Sequence, residues 1–92
     1  MKPDIMGNIG GNIMNQKIYN DVVSGKSDNN INFNDFRNLI VDLGFHFINQ
    51  NGSHIQYYHK GINERMTIQN NKSKAKSYQV RQLRNIIAKY GL

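Results

Sequence analysis

The stretch FHFINQNGSHIQYYH, Phe45 to His59, decides how this chain folds. Two runs in which apolar and polar residues alternate flank Asn51-Gly52. That dipeptide suits a two-residue β-hairpin turn, because both central positions tolerate positive φ. Phe45 to Gln50 therefore reads as one strand, with Phe45 and Phe47 on one face. Ser53 to His59 reads as its antiparallel partner. Lys60-Gly61-Ile62-Asn63 makes a second turn, and Glu64 to Asn70 a third strand in which Met66 and Ile68 alternate with polar residues. Asn71 to Lys76 reads as a polar, basic loop.

Helices bracket this meander. Asn32 is a good N-cap with Asp35 three residues on, and Ile31 can staple to Phe36. Phe36, Leu39, Ile40 and Leu43 form one apolar stripe, and Gly44 ends it, so a helix is expected over 31–44. Ser77 is a candidate cap for a final helix, with Val80, Leu83, Ile86, Ile87 and Tyr90 on one face and Gly91 as the stop. A short helix is expected over 14–25 from Ile18, Val22 and Gly25, followed by a polar connector to residue 30. Residues 1–13, rich in Gly and Asn, read as a flexible tail, and Met14 is a candidate start. The order helix, three antiparallel strands, helix gives an α+β two-layer sandwich, one sheet face covered and the other open. Phe36, Leu39, Phe45, Phe47 and Tyr57 are expected in the core, His46 and His59 at the surface.

Composition narrows the function. At 92 residues the chain is the size of one domain. It has no cysteine, which excludes disulfides and thiolate zinc sites. No apolar run spans a membrane and no secretory signal is evident, so a cytoplasmic location with no membrane partner is expected. The net charge of +6 is unevenly placed. Residues 1–31 balance, whereas Lys72, Lys74, Lys76, Arg81 and Arg84 follow one another with no acidic residue between them. A local excess of this kind is the footprint of a polyanion site, or else a solvated face.

Strand alternation puts His54, Gln56 and Tyr58 on the open face and Ser53, Ile55, Tyr57 and His59 on the other. Ser53 and His54 then point apart, which disfavours a nucleophile–base pair. His46, His54 and His59 lack ligand spacing and the six carboxylates are not clustered, so neither a metal nor any other cofactor is expected. A reaction within RNA remains open. Attack by a 2′-hydroxyl needs a base, a proton for the leaving oxygen and cations around the phosphoryl group, and one histidine can serve both proton steps. By itself, a lone strand histidine reads first as a surface residue and only second as a catalytic one.

Leu43-Gly44-Phe45, then Gln50-Asn51-Gly52-Ser53-His54, then Tyr57, a third strand and a C-terminal helix from Tyr78-Gln79-Val80 resemble the HicA toxins of HicAB toxin–antitoxin systems. The resemblance covers about residues 31–92, against 1–13 for the tail and 14–30 for the short helix and connector. It implies a double-stranded-RNA-binding-like α-β-β-β-α fold and an mRNA interferase that arrests translation. It places the catalytic acid/base at His54. It implies that Gly52 lets a phosphate approach the backbone and that Ser53 contacts backbone or substrate. It also implies a HicB-like antitoxin that covers the histidine, with operator DNA reached only through that antitoxin. Some members carry a second histidine after the third strand. Here Gln69 to Lys76 has none, so Lys72, Lys74 and Lys76, with Arg81 and Arg84, would contact phosphates. Arg65 and Tyr58, on the open face, are further RNA-contact candidates. Two alternatives are a non-catalytic RNA-binding module and a basic protein that serves only an acidic partner.

Overall fold

Asn15 accepts backbone hydrogen bonds from Lys17 and Ile18 through its side chain and so starts the first helix, α1, Gln16–Ser24. The computed structural model describes residues 15–92, and the expected tail over 1–13 lies outside the described residues, as does Met14. The remaining elements are α2 (Phe33–Asp42), β1 (His46–Asn51), β2 (His54–His59), β3 (Glu64–Asn71), β4 (Lys74–Ala75) and α3 (Ser77–Tyr90). The strands form one antiparallel sheet in the order β1-β2-β3-β4. α2 and α3 cover one face of it, with α1 packed on those two helices, giving the α+β, double-stranded-RNA-binding-like arrangement.

The core joins all three helices to the sheet. Val22 of α1, Phe36, Leu39 and Ile40 of α2, Met66 and Ile68 of β3, and Val80 and Leu83 of α3 are inaccessible to solvent. The N-cap of α2 is as the residues suggest: Asn32 Oδ1 accepts from the Asp35 N–H at 3.0 Å, with Ile31 and Phe36 both buried. Lys76, not Ser77, is the N-cap of α3, and no side chain caps that end. At the other end of α2 the C-cap is Leu43, and Gly44 follows at φ +107°.

Three expectations for the sheet need correction. Gly52 and Ser53, not Asn51 and Gly52, are the central residues of the first hairpin turn, since Asn51 pairs with His54. Gly52 has φ +62° and Ser53 is not at positive φ, the pattern of a turn with glycine in the first central position. The basic loop after β3 is itself a hairpin. Lys72 at φ +51° and Ser73 at φ +70° turn the chain, and β4 pairs back through Asn71 with Lys74 and Asn70 with Ala75. Phe47, expected in the core with Phe45, is 59% exposed. It lies opposite Tyr57 on the covered side, edge-on to its ring at 6.1 Å. The helices, however, pack mainly over β3 and β4, and β1 is the outer strand. A bulge at Ile48 shifts the register between Phe47 and Asn49, a device that blunts an edge against further pairing.

His59 is a fourth correction. It does not sit free at the surface. Its Nε2 donates to the Leu43 carbonyl at 3.0 Å, its ring meets Phe45 edge-on at 5.1 Å, and Gly44 and Gly61 leave it room on either side. Among the described residues, Nδ1 is buried without a partner. The ring therefore pins the end of α2 to the end of β2.

Candidate nucleic-acid interface

His54 is the first residue of β2 and lies exposed on the open face. The Gly52-Ser53 turn delivers it there. Across the sheet its neighbours are Asn51 on β1 and Gln69 on β3. Among the described residues, no hydrogen bond to the His54 ring is formed. Ser53 departs from the strand-parity argument, because it belongs to the turn and the alternation of β2 does not govern it. Its Oγ accepts from Gln69 Nε2 at 3.0 Å, and Gln69 stands directly opposite His54. The serine hydroxyl and the glutamine amide thus join the histidine's surroundings. The turn is open to solvent at Gly52, where an added Cβ meets nothing within 4 Å.

Tyr58 and Arg65 share this face and face each other across β2 and β3. The Arg65 guanidinium lies 5.4 Å from the centre of the Tyr58 ring, and the Tyr58 hydroxyl donates to Asn63 Oδ1 at 3.0 Å. Both lie four residues along the strand from the level of His54, about 13 Å at the usual rise per residue. The structure puts Arg65 on the face of His54 but beside Tyr58 rather than beside the histidine.

The lysines gather elsewhere at the same end of the sheet. Lys72, Lys74 and Lys76 line a groove of about 500 Å³ with Asn29, Asn71, Ser77 and Tyr78. The lysine turn and the Gly52-Ser53 turn emerge together, because β3 runs past Gln69 to reach Lys72. Lys74 is two strands over and two residues on from His54. Strand spacings of about 4.8 Å and rises of about 3.3 Å per residue put their Cα atoms about 12 Å apart. The Lys74 ammonium also donates to Asn30 Oδ1. Arg81 lines a second groove, of about 460 Å³, with Gln82, Asn85, Lys89 and Glu64. Tyr78, 55% exposed, is a wall of both grooves.

Arg84 stands apart from the other candidates. Its two terminal nitrogens donate to the two Asp28 carboxylate oxygens at 2.9 and 3.0 Å, and one also reaches the Val22 carbonyl at 3.1 Å. The side chains of the pair are only 25% and 16% exposed. The hydrogen bond from Arg84 holds the Asp28 carboxyl below its ordinary value against the opposing effect of burial. The same bond raises Arg84 further above its already high value. Arg84 is a tie between α3 and the end of α1, and its charge is matched internally. The guanidinium expected at a phosphate is thus engaged by Asp28 in this structure.

Sequence reasoning missed Gln69, Asn29 and Asn30. Gln69 is legible only through the strand register, and the two asparagines only through the pairing of their segment with β4. Among the described residues, no three His, Asp or Glu side chains stand together as metal ligands, and no helix is long and apolar enough to cross a membrane.

Comparison with known families places these features in context. A family model described as HicA toxin of bacterial toxin-antitoxin matches residues 33–92. No curated protein and no solved structure matches the chain. The match takes in the sheet, α2, α3, His54 and the lysine turn, and leaves α1 and the connector outside.

Proposed function

We propose, because this chain belongs to the HicA family of toxins from bacterial toxin–antitoxin systems, that it is an endoribonuclease acting on mRNA through His54. The observation that carries the reading is the placement of His54 and the lysine groove at one end of the sheet, about 12 Å apart by strand spacing. One short stretch of RNA backbone reaches both. With a phosphate held among Lys72, Lys74 and Lys76, a neighbouring linkage lies over the open face at His54.

The chemistry follows from what that position offers. His54, in its neutral form, accepts the proton of the ribose 2′-hydroxyl as the oxygen attacks phosphorus. The O2′–P bond forms, the P–O5′ bond breaks, and the imidazolium returns the proton to the leaving 5′-oxygen. General acid–base assistance of this type contributes about 10²–10⁴-fold. The lysines and Arg81 supply positive charge to the phosphate chain, and Arg65 with Tyr58 offers a stacking edge further along the open face. The Ser53–Gln69 pair beside His54 supplies hydrogen-bonding groups to the ribose or phosphate.

HicA toxins pair with HicB antitoxins. The corresponding antitoxin here covers the open face at His54, and operator DNA is engaged through that antitoxin alone.

The reading is tested with an RNA that carries one 2′-deoxy substitution at the cleaved linkage. Loss of cutting at that linkage alone, with cutting elsewhere unchanged, supports attack by the 2′-hydroxyl. Cutting that persists there contradicts it. Among the described residues no hydrogen bond orients the His54 ring, and this favours a second reading, a non-catalytic RNA-binding module. That module binds the same RNAs and cuts none of them.

A further inference from the structure

The lysine groove has one wall that the family match does not include. Asn29 lines it, and Asn30 Oδ1 accepts a hydrogen bond from the Lys74 ammonium. The connector that carries them is fastened on both sides. Asp28 grips Arg84, and the chain beyond Asn30 runs beside β4, where the Ala75 N–H donates to the Ile31 carbonyl at 2.8 Å and the Phe33 N–H donates to the Ser73 carbonyl at 2.9 Å. Asn32 also bridges to Lys74 itself. Ile31 to Phe33 are thus an outer rung of the lysine hairpin, and they fix the end of the connector beside it.

The two ends of this short segment treat cations in opposite ways. Asp28 meets Arg84 with a carboxylate and cancels its charge. Asn30 meets Lys74 with a neutral amide, which restrains the ammonium and leaves its charge available. A lysine carries a long stem whose rotamers must be immobilised when it binds a phosphate. A partner that holds the stem beforehand lowers that cost without competing for the anion.

We infer that the connector is part of the RNA-binding surface. Asn30 is a positioning residue that holds Lys74 toward an RNA phosphate in the groove, and Asn29 faces the same nucleotide. This rests on the proposal that the chain binds RNA. It adds that the segment preceding the family-matched residues takes part in binding, through an amide that orients a lysine.

The test is a double-mutant cycle between Asn30→Ala and Lys74→Ala, with affinity measured for a short fluorescein-labelled single-stranded RNA. All variants carry His54→Ala, so the RNA stays intact, and thermal melting checks the fold of each. Asn30→Ala is expected to weaken binding about three- to ten-fold, the range for one ordinary hydrogen bond, since the effect reaches the RNA only through the lysine. In the Lys74→Ala background the same change is expected to have no further effect. In the chain with His54 restored, Asn30→Ala is expected to raise KM and leave kcat unchanged.

Equal affinity with and without Asn30 overturns the inference, and so does a loss that is the same in both backgrounds, since that indicates a general disturbance of the fold. Either result, obtained while the chain still binds RNA through its lysines, leaves the RNA reading standing. A parent chain that binds no RNA removes both.

Discussion

Asp28 and Arg84 show how a single carboxylate changes what a cation can do. Arg84 lies in the same basic run as Lys76 and Arg81, and nothing in its sequence surroundings sets it apart. Asp28 is 56 residues away, and only the packing of α1 on α3 brings the two together. Asp28→Asn is expected to cost about 1.5–3 kcal/mol near neutral pH, the range for hydrogen bonds to charged groups. The carboxyl of Asp28 is held below its ordinary value of 3.8, so its stabilising effect is present above that value and is lost as pH falls through the lowered one. Melting curves of parent and Asp28→Asn are therefore expected to converge in acid, below pH 3.8, and to stay apart at neutrality. Convergence at neutral pH would contradict the pairing. A second prediction concerns Gly44. At φ +107° an alanine is strained, and its Cβ would stand 2.6 Å from His59 Nε2. Gly44→Ala is expected to cost about 1–3 kcal/mol, measured as a lowered urea midpoint with unchanged m.

The elements divide by how local their signals are. α2 was legible apart from the exact position of its C-cap, because its N-cap, staple and apolar stripe all lie within the stretch from Ile31 to Leu43. The face of His54 was legible too, since alternation within β2 needs only the identity of Ile55 and Tyr57. Phe45 and Phe47 look alike in sequence, yet one is buried and the other exposed, because no property of β1 reveals where the helices stop covering the sheet. The lysine hairpin was hidden for a different reason. Lys72 and Ser73 occupy left-handed positions that usually mark themselves with Gly or Asn, and here they do not. The hairpin form makes the lysines a fixed groove rather than a loose loop, and this carries a prediction. The pair Lys72→Ala and Lys76→Ala is expected to weaken RNA binding at least ten-fold while leaving the melting temperature within a few degrees. The slope of log affinity against log salt is expected to fall by about 1.4, the loss of two phosphate contacts on single-stranded RNA. An unchanged slope would place the RNA elsewhere.

On the scale of the whole molecule, α1 is part of the folding unit although it lies outside the family-matched residues. Ile18 and Val22 are buried in the common core, the Tyr19 hydroxyl donates to the terminal Leu92 carbonyl at 2.7 Å, and Asp28 follows in the connector. Burying two such aliphatic side chains stabilises by about 1.5–3 kcal/mol each. Together with the ion pair this approaches the total stability of about 5–15 kcal/mol available to a small domain. A chain that begins at Ile31 is therefore expected to be mostly unfolded or to melt far below the parent, measured by circular dichroism. Parent-like melting of the shortened chain would show that α1 is an accessory. The claim on which the functional account depends is that His54 carries out proton transfer in RNA cleavage. The most direct measurement is cleavage of RNA in excess EDTA by the parent and by His54→Ala, with matched circular dichroism spectra. The account predicts cutting by the parent and at least a hundred-fold slower cutting by the variant, the lower end of what general acid–base catalysis contributes. Equal cutting by both chains, or no cutting by the parent, would contradict it.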